Sequence, residues 1–346
     1  MNVSHFFDIL QFNLKNLKPN TTHYRTGQKE GHYESYFQRA NHPTEPLAFW
    51  IRYTLFSPRK KPQDAIGEIW AIFFNGKTQK HIAVKEEFPL QNCHFKHRAL
   101  DMKIGIATLI EGKLKGKAST NNNTIEWDLV YDGAEKPLYL LPISFYHLPL
   151  PKAKALVGLP LASYTGCLKI NDTQIPVENW VGSQNHNWGT EHTDRYAWGQ
   201  VAGFDNHPNS FLEIATAQVK LGWVHSPKLT VIVLRHNGKD YKFNDLKQSL
   251  KNKGNYTYFN WEFSAINGQD KLMGKIFAEQ AQVMGLNYYN PPGGNKTCLN
   301  TKIATAELTL SHKDGTQEQF ISTNRAAFEI LTNDDNHGIQ ILNPIN

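Results

Sequence analysis

Alternation of period two is the dominant pattern along the chain. In Phe49-Trp50-Ile51-Arg52-Tyr53-Thr54-Leu55-Phe56 nearly every residue favours a strand, which predicts one buried on most of both faces. Glu68–Phe74 predicts another, ending at Asn75-Gly76, a dipeptide suited to the positive-φ positions of a hairpin turn. The format recurs over Thr124–Val130, Ala197–Phe204, Phe211–Val219, Leu229–Leu234 (closing on His236-Asn237-Gly238), Thr257–Phe263 and Ala304–Ser311. Short strands at close spacing, separated by Asn, Asp, Gly and Pro, predict an all-β sandwich or barrel. Helical spacing is confined to the start, where Phe6, Phe7, Ile9, Leu10, Leu14 and Leu17 form an amphipathic stretch. It reads as a cap packed on the core. Weak membrane-surface contact through residues 1–17 is the alternative, against a polar face poor in Lys and Arg.

The Pro-rich Leu148–Pro151 and the Asn- and Gly-rich Gly182–Gly189 bracket a domain boundary. We expect an N-terminal helix or extension over 1–24, an N-terminal β-barrel over 25–180 and a C-terminal β-barrel over 181–346. Two antiparallel units of about 150 residues can each close, which removes exposed edges and can enclose one small ligand. No short-period repeat is present, which disfavours a solenoid or propeller.

The chain has 346 residues and a net charge of +6, spread thinly. Its densest basic cluster, Arg59-Lys60-Lys61, lies in a loop pattern, so no nucleic-acid partner is expected. The apolar runs fall short of the roughly 20 residues that a bilayer-spanning helix needs, so no integral span is expected. Cys93, Cys167 and Cys298 are odd in number and far apart, against a disulfide framework or a thiolate zinc site. They fit a reducing compartment, and the first residues lack the basic region of a signal peptide, so cytoplasmic is the expectation. Among the 15 histidines, Cys93-His94-x-x-His97 and His186…His192 are the tightest clusters, with no acidic partner close in sequence. Neither a phosphate loop nor a nucleophile elbow is present. We expect no metal. The pattern leaves the oligomeric state open.

The most informative segment runs from Val181 to Asp205. Asn185-His186-Asn187-Trp188-Gly189 leads into a strand whose faces separate Tyr196, Trp198, Gln200, Ala202 and Phe204 from Ala197, Gly199, Val201, Gly203 and Asp205. The second face is mostly small, so another backbone or a ligand could approach it closely. Through His186-Asn-Trp188-Gly189 and Tyr196-Ala-Trp198-Gly199-Gln200-Val201 the chain resembles the two-domain, lipocalin-like family of carotenoid 1,2-hydratases (hydroxyneurosporene synthases) and AttH-like proteins. Tyr36-Phe37 and Phe49–Tyr53 support the likeness, with tocopherol cyclases and lipocalin-like Diels–Alderases as more distant relatives. The resemblance implies two calycin-type barrels, an apolar pocket inside or between them, a polyene- or isoprenoid-like ligand, and neither metal nor organic cofactor. It places the family's His and Trp on His186 and Trp188. Where the hydratases carry a Tyr-x-Asp pair about 25 residues later, this chain reads Glu213-Ile214-Ala215, a departure that weighs against hydration.

Two functions follow. One is a carrier or sensor of an apolar small molecule. The other is a cofactor-free hydratase or cyclase acting on a polyene or prenyl compound, or an enzyme of pericyclic ring closure, which needs little acid–base machinery. Protonating a carbon–carbon double bond requires a carboxylic acid kept neutral by an apolar setting, and aromatic faces for the cation. Glu213, between Leu212 and Ile214, is the most apolar-embedded candidate acid, with Asp205 behind it. His186 could orient the acid or capture water. Trp188, Tyr196, Trp198, Gln200, Trp50 and Tyr53 are the candidate ligand-binding residues. Each has a structural alternative: a solvent-facing carboxylate, a loop-satisfying histidine, or a barrel-core tryptophan.

Overall fold

The computed structural model describes residues 18–221 and 223–342. The amphipathic stretch at 1–17, with its possible cap or membrane role, lies outside them. Twelve strands form the first sheet: β1 (His32–Asn41), β2 (Leu47–Ser57), β3 (Ile66–Asn75), β4 (Ile82–Pro89), β5 (Cys93–Phe95), β6 (Asp101–Ile104), β7 (Ala107–Ile110), β8 (Lys113–Thr120), β9 (Asn123–Asp132), β10 (Leu138–Tyr139), β11 (Ala153–Ile170) and β12 (Thr173–Gly189). The second sheet begins with β13 (Arg195–Ala202) and β14 (Phe211–Gln218). A separate two-stranded hairpin follows, β15 (Lys220–Leu221) with β16 (Val224–His225). The second sheet resumes with β17 (Leu229–His236), β18 (Lys239–Phe243), the short helix α1 (Leu246–Lys251), β19 (Lys253–Tyr256), β20 (Asn260–Asn267) and β21 (Asp270–Phe277). It ends with β22 (Met284–Tyr289), β23 (Asn295–Ser311), β24 (Gln317–Thr332) and β25 (Ile341–Leu342). Both sheets are antiparallel apart from the β22–β25 pair, and both roll into near-barrels. This is the all-β, two-barrel architecture that the alternation predicts.

Each near-barrel pairs its opening strand with a late one. Tyr33 of β1 lies opposite Gly189 of β12, and Tyr196 of β13 lies opposite Leu331 of β24. Where β12 passes β1 there is no room for a side chain, since a Cβ on Gly182 would stand 1.7 Å from the Arg39 carbonyl oxygen.

Period two then sorts the side chains into three layers. Tyr36 and Ala40 of β1 point into the first barrel, beside Tyr53, Trp127, Tyr164 and Trp180. Trp261, Phe263, Leu272, Phe320 and Phe328 fill the second. Between the barrels lies a third apolar layer that includes Phe37, Trp50, Trp70, Trp198, Tyr288 and Leu331. Strands β1 and β2 are therefore buried on both faces, as Phe49–Phe56 predicts, because one face meets each layer.

Three local expectations change. The sequence boundary at 180/181 falls inside β12, whose ladder to β1 and β11 runs on to Gly189, so the sheets change over at 190–194. Asn75-Gly76 opens a longer loop to β4, with the Asn75 side chain accepting from the backbone N–H groups of Lys77 and Thr78. It is Asn237-Gly238 that forms the tight turn, with φ of 50° and 73°. Thr257–Phe263 splits into the end of a hairpin turn and β20.

Candidate functional site

The nine predicted residues occupy four separate places. His186 and Trp188 belong to β12 and face the first barrel, as Glu34 and Tyr36 do opposite them on β1. Trp50, Tyr196, Trp198, Gln200 and Glu213 lie between the barrels, and Tyr53 lies in the first barrel's core. Its hydroxyl donates to the Thr108 carbonyl (2.8 Å) and accepts from Trp127 Nε1 (3.0 Å). Asp205 stands apart at the surface, paired with Arg325 and Thr323, and does not reach His186 or Glu213. The small face of β13 is filled, since a Cβ on Gly199 would meet Ile276 Cδ1 at 2.6 Å and Trp261 at 3.1 Å.

At the first barrel's end, Glu34 is fully buried and completes a tight constellation. Its Oε1 lies 2.8 Å from His186 Nε2, and its Oε2 lies 3.0 Å from His32 Nε2. The Tyr36 hydroxyl donates to Oε1 at 3.2 Å. The coil at 18–24 crosses this end as a strap, and the backbone N–H groups of His23 and Tyr24 both donate to the carboxylate. Burial alone would raise the acid's pKa, but the hydrogen bonds from His186 and His32 outweigh it and hold Glu34 far below the usual carboxylate range.

That balance constrains His186. Its Nδ1 sits 2.7 Å from the Pro19 carbonyl, which can only accept, so Nδ1 carries a proton. Its Nε2 lies 2.8 Å from Glu34 Oε1, a contact that needs a proton between the two atoms. The ring stacks on Tyr36 (centroids 4.1 Å apart) and lies 4.6 Å from Trp188. His23 of the strap stacks on Trp188 at 4.1 Å and is lowered to about 3, chiefly by burial and then by His186, so it is neutral. The arrangement is a proton-sharing acid–base pair walled by aromatic faces.

His23, Glu34 and His186 also offer ligand atoms within 4.8 Å of one another, the donor set of a two-histidine, one-carboxylate metal centre. Glu34 already takes hydrogen bonds from His23 N, Tyr24 N, His32, Tyr36 and His186, which an ion would have to displace. The donor set as it stands serves protons. The sequence clusters singled out for metal lie elsewhere: His94 and His97 are exposed, and His192 stacks on Tyr33.

Glu213 anchors the polar seam between the barrels. It accepts from Trp198 Nε1 and Gln200 Nε2, each at 2.8 Å. Gln200 spends all its hydrogen-bonding capacity here, accepting from Arg39 and Ser183 and donating to Asn185 and Glu213. Burial pushes Glu213 up to about 7, opposed by its two hydrogen bonds and by Arg39. The folded protein therefore holds this proton more tightly than the unfolded chain does. Its contribution is full below about 4.5 and is lost as pH rises through about 7, worth about 3 kcal/mol at most. Urea unfolding at pH 5.5 and pH 8 is expected to show the larger part of that loss, about 2 kcal/mol, in the parent and a flatter response in Glu213→Gln. An unchanged slope in the variant would assign the pH dependence to another group.

Sequence reasoning missed Glu34, His32 and His23. The available signal was His32-x-Glu34-x-Tyr36, polar residues on the inward face of a strand otherwise built for a core. Two open clefts, of about 510 and 580 Å³, lie on the second barrel and are lined by none of the predicted residues.

A tocopherol cyclase-like family model matches residues 145–330. An uncharacterized protein of Mycobacterium tuberculosis is 26% identical over 190 residues, 54% of this chain and 56% of that protein, so the match spans about half of its length. Among solved structures, an AttH-type protein from Nitrosomonas europaea superposes with a TM-score of 0.59 at 12% identity, covering 91% of this chain and 98% of that one. Kievitone hydratase from Nectria haematococca gives 0.54 at 12%, covering 92% and 94%. CghA in complex with Sch210972 gives 0.51 at 10%, covering 91% and 94%. At such identities these structures share the fold.

Proposed function

The chain belongs to the tocopherol cyclase-like family, and from that membership we propose that it is a cofactor-free hydratase or cyclase acting on an apolar, unsaturated small molecule. The observation that carries the reading is the buried His186–Glu34 pair between the rings of Tyr36 and Trp188. A substrate enters when the strap at 18–24 lifts and the Pro19 carbonyl leaves His186 Nδ1. Nδ1–H then donates its proton to the double bond, while Glu34 holds Nε2 and the ring's orientation. The faces of Tyr36 and Trp188 stabilise the carbocation. Attack by water, or by a hydroxyl of the substrate itself, ends the reaction and returns a proton to Nδ1. Water addition raises the mass by that of one water; internal attack leaves it unchanged.

Incubation with linear polyenes and prenylated phenols in D₂O tests this. The expected product carries one carbon-bound deuterium that does not wash out, and His186→Ala abolishes its formation. Products formed without deuterium would overturn acid catalysis in favour of pericyclic closure.

Carriage is the second reading. It is supported by the closed state itself, in which both His186 nitrogens are engaged and the ring is fully buried. A ligand retained through purification and returned with unchanged structure, in a protein inert to the whole panel, would favour it.

A further inference from the structure

The strap and the loops beside it share one end of the molecule. Strands β11, β12, β13 and β14 all terminate there, since Ala153 pairs with Gly189 and Arg195 pairs with Gln218. Short contacts tie the loops together: Lys152 and Arg59 to Glu191, Arg59 N–H to the Pro291 carbonyl, and Lys296 and His225 to Asp194.

Apolar side chains stand out from this end. Leu148 is 44% exposed, Leu150 61%, and Trp223, at the tip of the β15–β16 hairpin, is entirely exposed. Leu148 and Leu150 belong to the loop whose Tyr146 packs toward Trp188 of the site. Around them are exposed basic residues, among them Lys60, Lys61, Lys152, Arg195 and Lys220. The nearby acids Glu191 and Asp194 are already neutralised by the partners named above, and no ion pair engages Lys60, Lys61, Arg195 or Lys220 among the described residues.

We propose that this end docks on an anionic lipid bilayer, with Leu148, Leu150 and Trp223 entering the interface and the basic residues meeting lipid headgroups. Exposed leucines and a tryptophan at a loop tip suit the boundary between headgroups and acyl chains. Each Lys or Arg near a negative leaflet adds about 1 kcal/mol of attraction, screened by salt. Docking presents the strap to the bilayer, so a lipid-dissolved substrate reaches the site without crossing water. That use rests on the apolar substrate proposed above, whereas vesicle binding is measured without turnover, so the two fail separately.

The test is co-sedimentation of the full chain with vesicles of phosphatidylcholine alone and of phosphatidylcholine mixed with phosphatidylglycerol. Binding is expected to the mixed vesicles and to weaken as salt is added. The variant Leu148→Asp/Leu150→Asp, and separately Trp223→Ser, are expected to lose about tenfold or more in affinity while keeping their circular dichroism, since these side chains are exposed. No sedimentation with mixed vesicles, or variants that bind like the parent, overturns the proposal. So does a parent dimer in analytical ultracentrifugation that Leu150→Asp dissociates, which would assign the patch to a protein contact.

Discussion

Glu34→Gln is expected to lower turnover by about a hundred- to ten-thousand-fold, the usual contribution of positioned acid–base groups. A glutamine of the same shape still reaches His186 but carries no negative charge opposite Nε2, so the proposed acid loses the partner that holds and charge-balances its ring. The pair acts as one unit. His186→Ala should therefore cost about as much, and the double variant Glu34→Gln/His186→Ala little more than either. Full activity in Glu34→Gln, or strictly multiplied losses in the double variant, would refute the pairing. A stability cost accompanies the change, because an amide oxygen replaces two acceptor oxygens among several buried donors. Each donor left unsatisfied costs about 1–3 kcal/mol. Kinetics should therefore be taken well below the variant's melting temperature.

Lys302→Ala is expected to be the most destabilising change in the seam between the barrels, by about 3–5 kcal/mol. The ammonium is fully buried, donates to Glu329 Oε1 (2.7 Å) and Asn300 Oδ1 (2.5 Å), and lies between the rings of Trp50 and Trp198. Removing it leaves the nearly buried Glu329 carboxylate with Asn300 and Cys298 as its hydrogen-bond partners. Lys302→Met/Glu329→Gln should recover most of the loss, since the methionine refills the space between the tryptophans and the glutamine oxygen still accepts from Asn300. Denaturant midpoints for both single variants and the double give the coupling. Additive losses would show that the ion pair contributes nothing as a pair.

The strands were legible because each repeats a two-residue period over several turns of the pleat, and the doubly buried Phe49–Phe56 could be read as such from its lack of a polar face. Asn237-Gly238 was legible as a turn because few other dipeptides accept positive φ twice; Asn75-Gly76 carries the same signal, and the longer loop overrode it. The site was half legible. His186 and Trp188 are two apart and must share a face, but nothing local says that the face belongs to the first barrel. Glu213 is equally embedded in apolar sequence, yet it faces the seam, because β14 lies in the other sheet. The carboxylate that does meet His186 comes from a strand some 150 residues earlier, a pairing set by sheet register and not by proximity in the chain.

The pairing of each sheet's opening strand with a late one also dictates an order of assembly. During synthesis β1 can form a hairpin with β2 early, but its other edge has no partner until β12 has been made. Its outward face, with Phe37 and Arg39, stays wet until the second barrel arrives. Such long-range pairings slow folding and leave an open edge exposed to aggregation in the interval. The strap is tied to His186 on β12, so the proton-sharing pair comes together only at the final zippering of the first barrel. On the proposed mechanism, a chain whose first barrel has not closed therefore lacks the assembled pair and is expected to be inert.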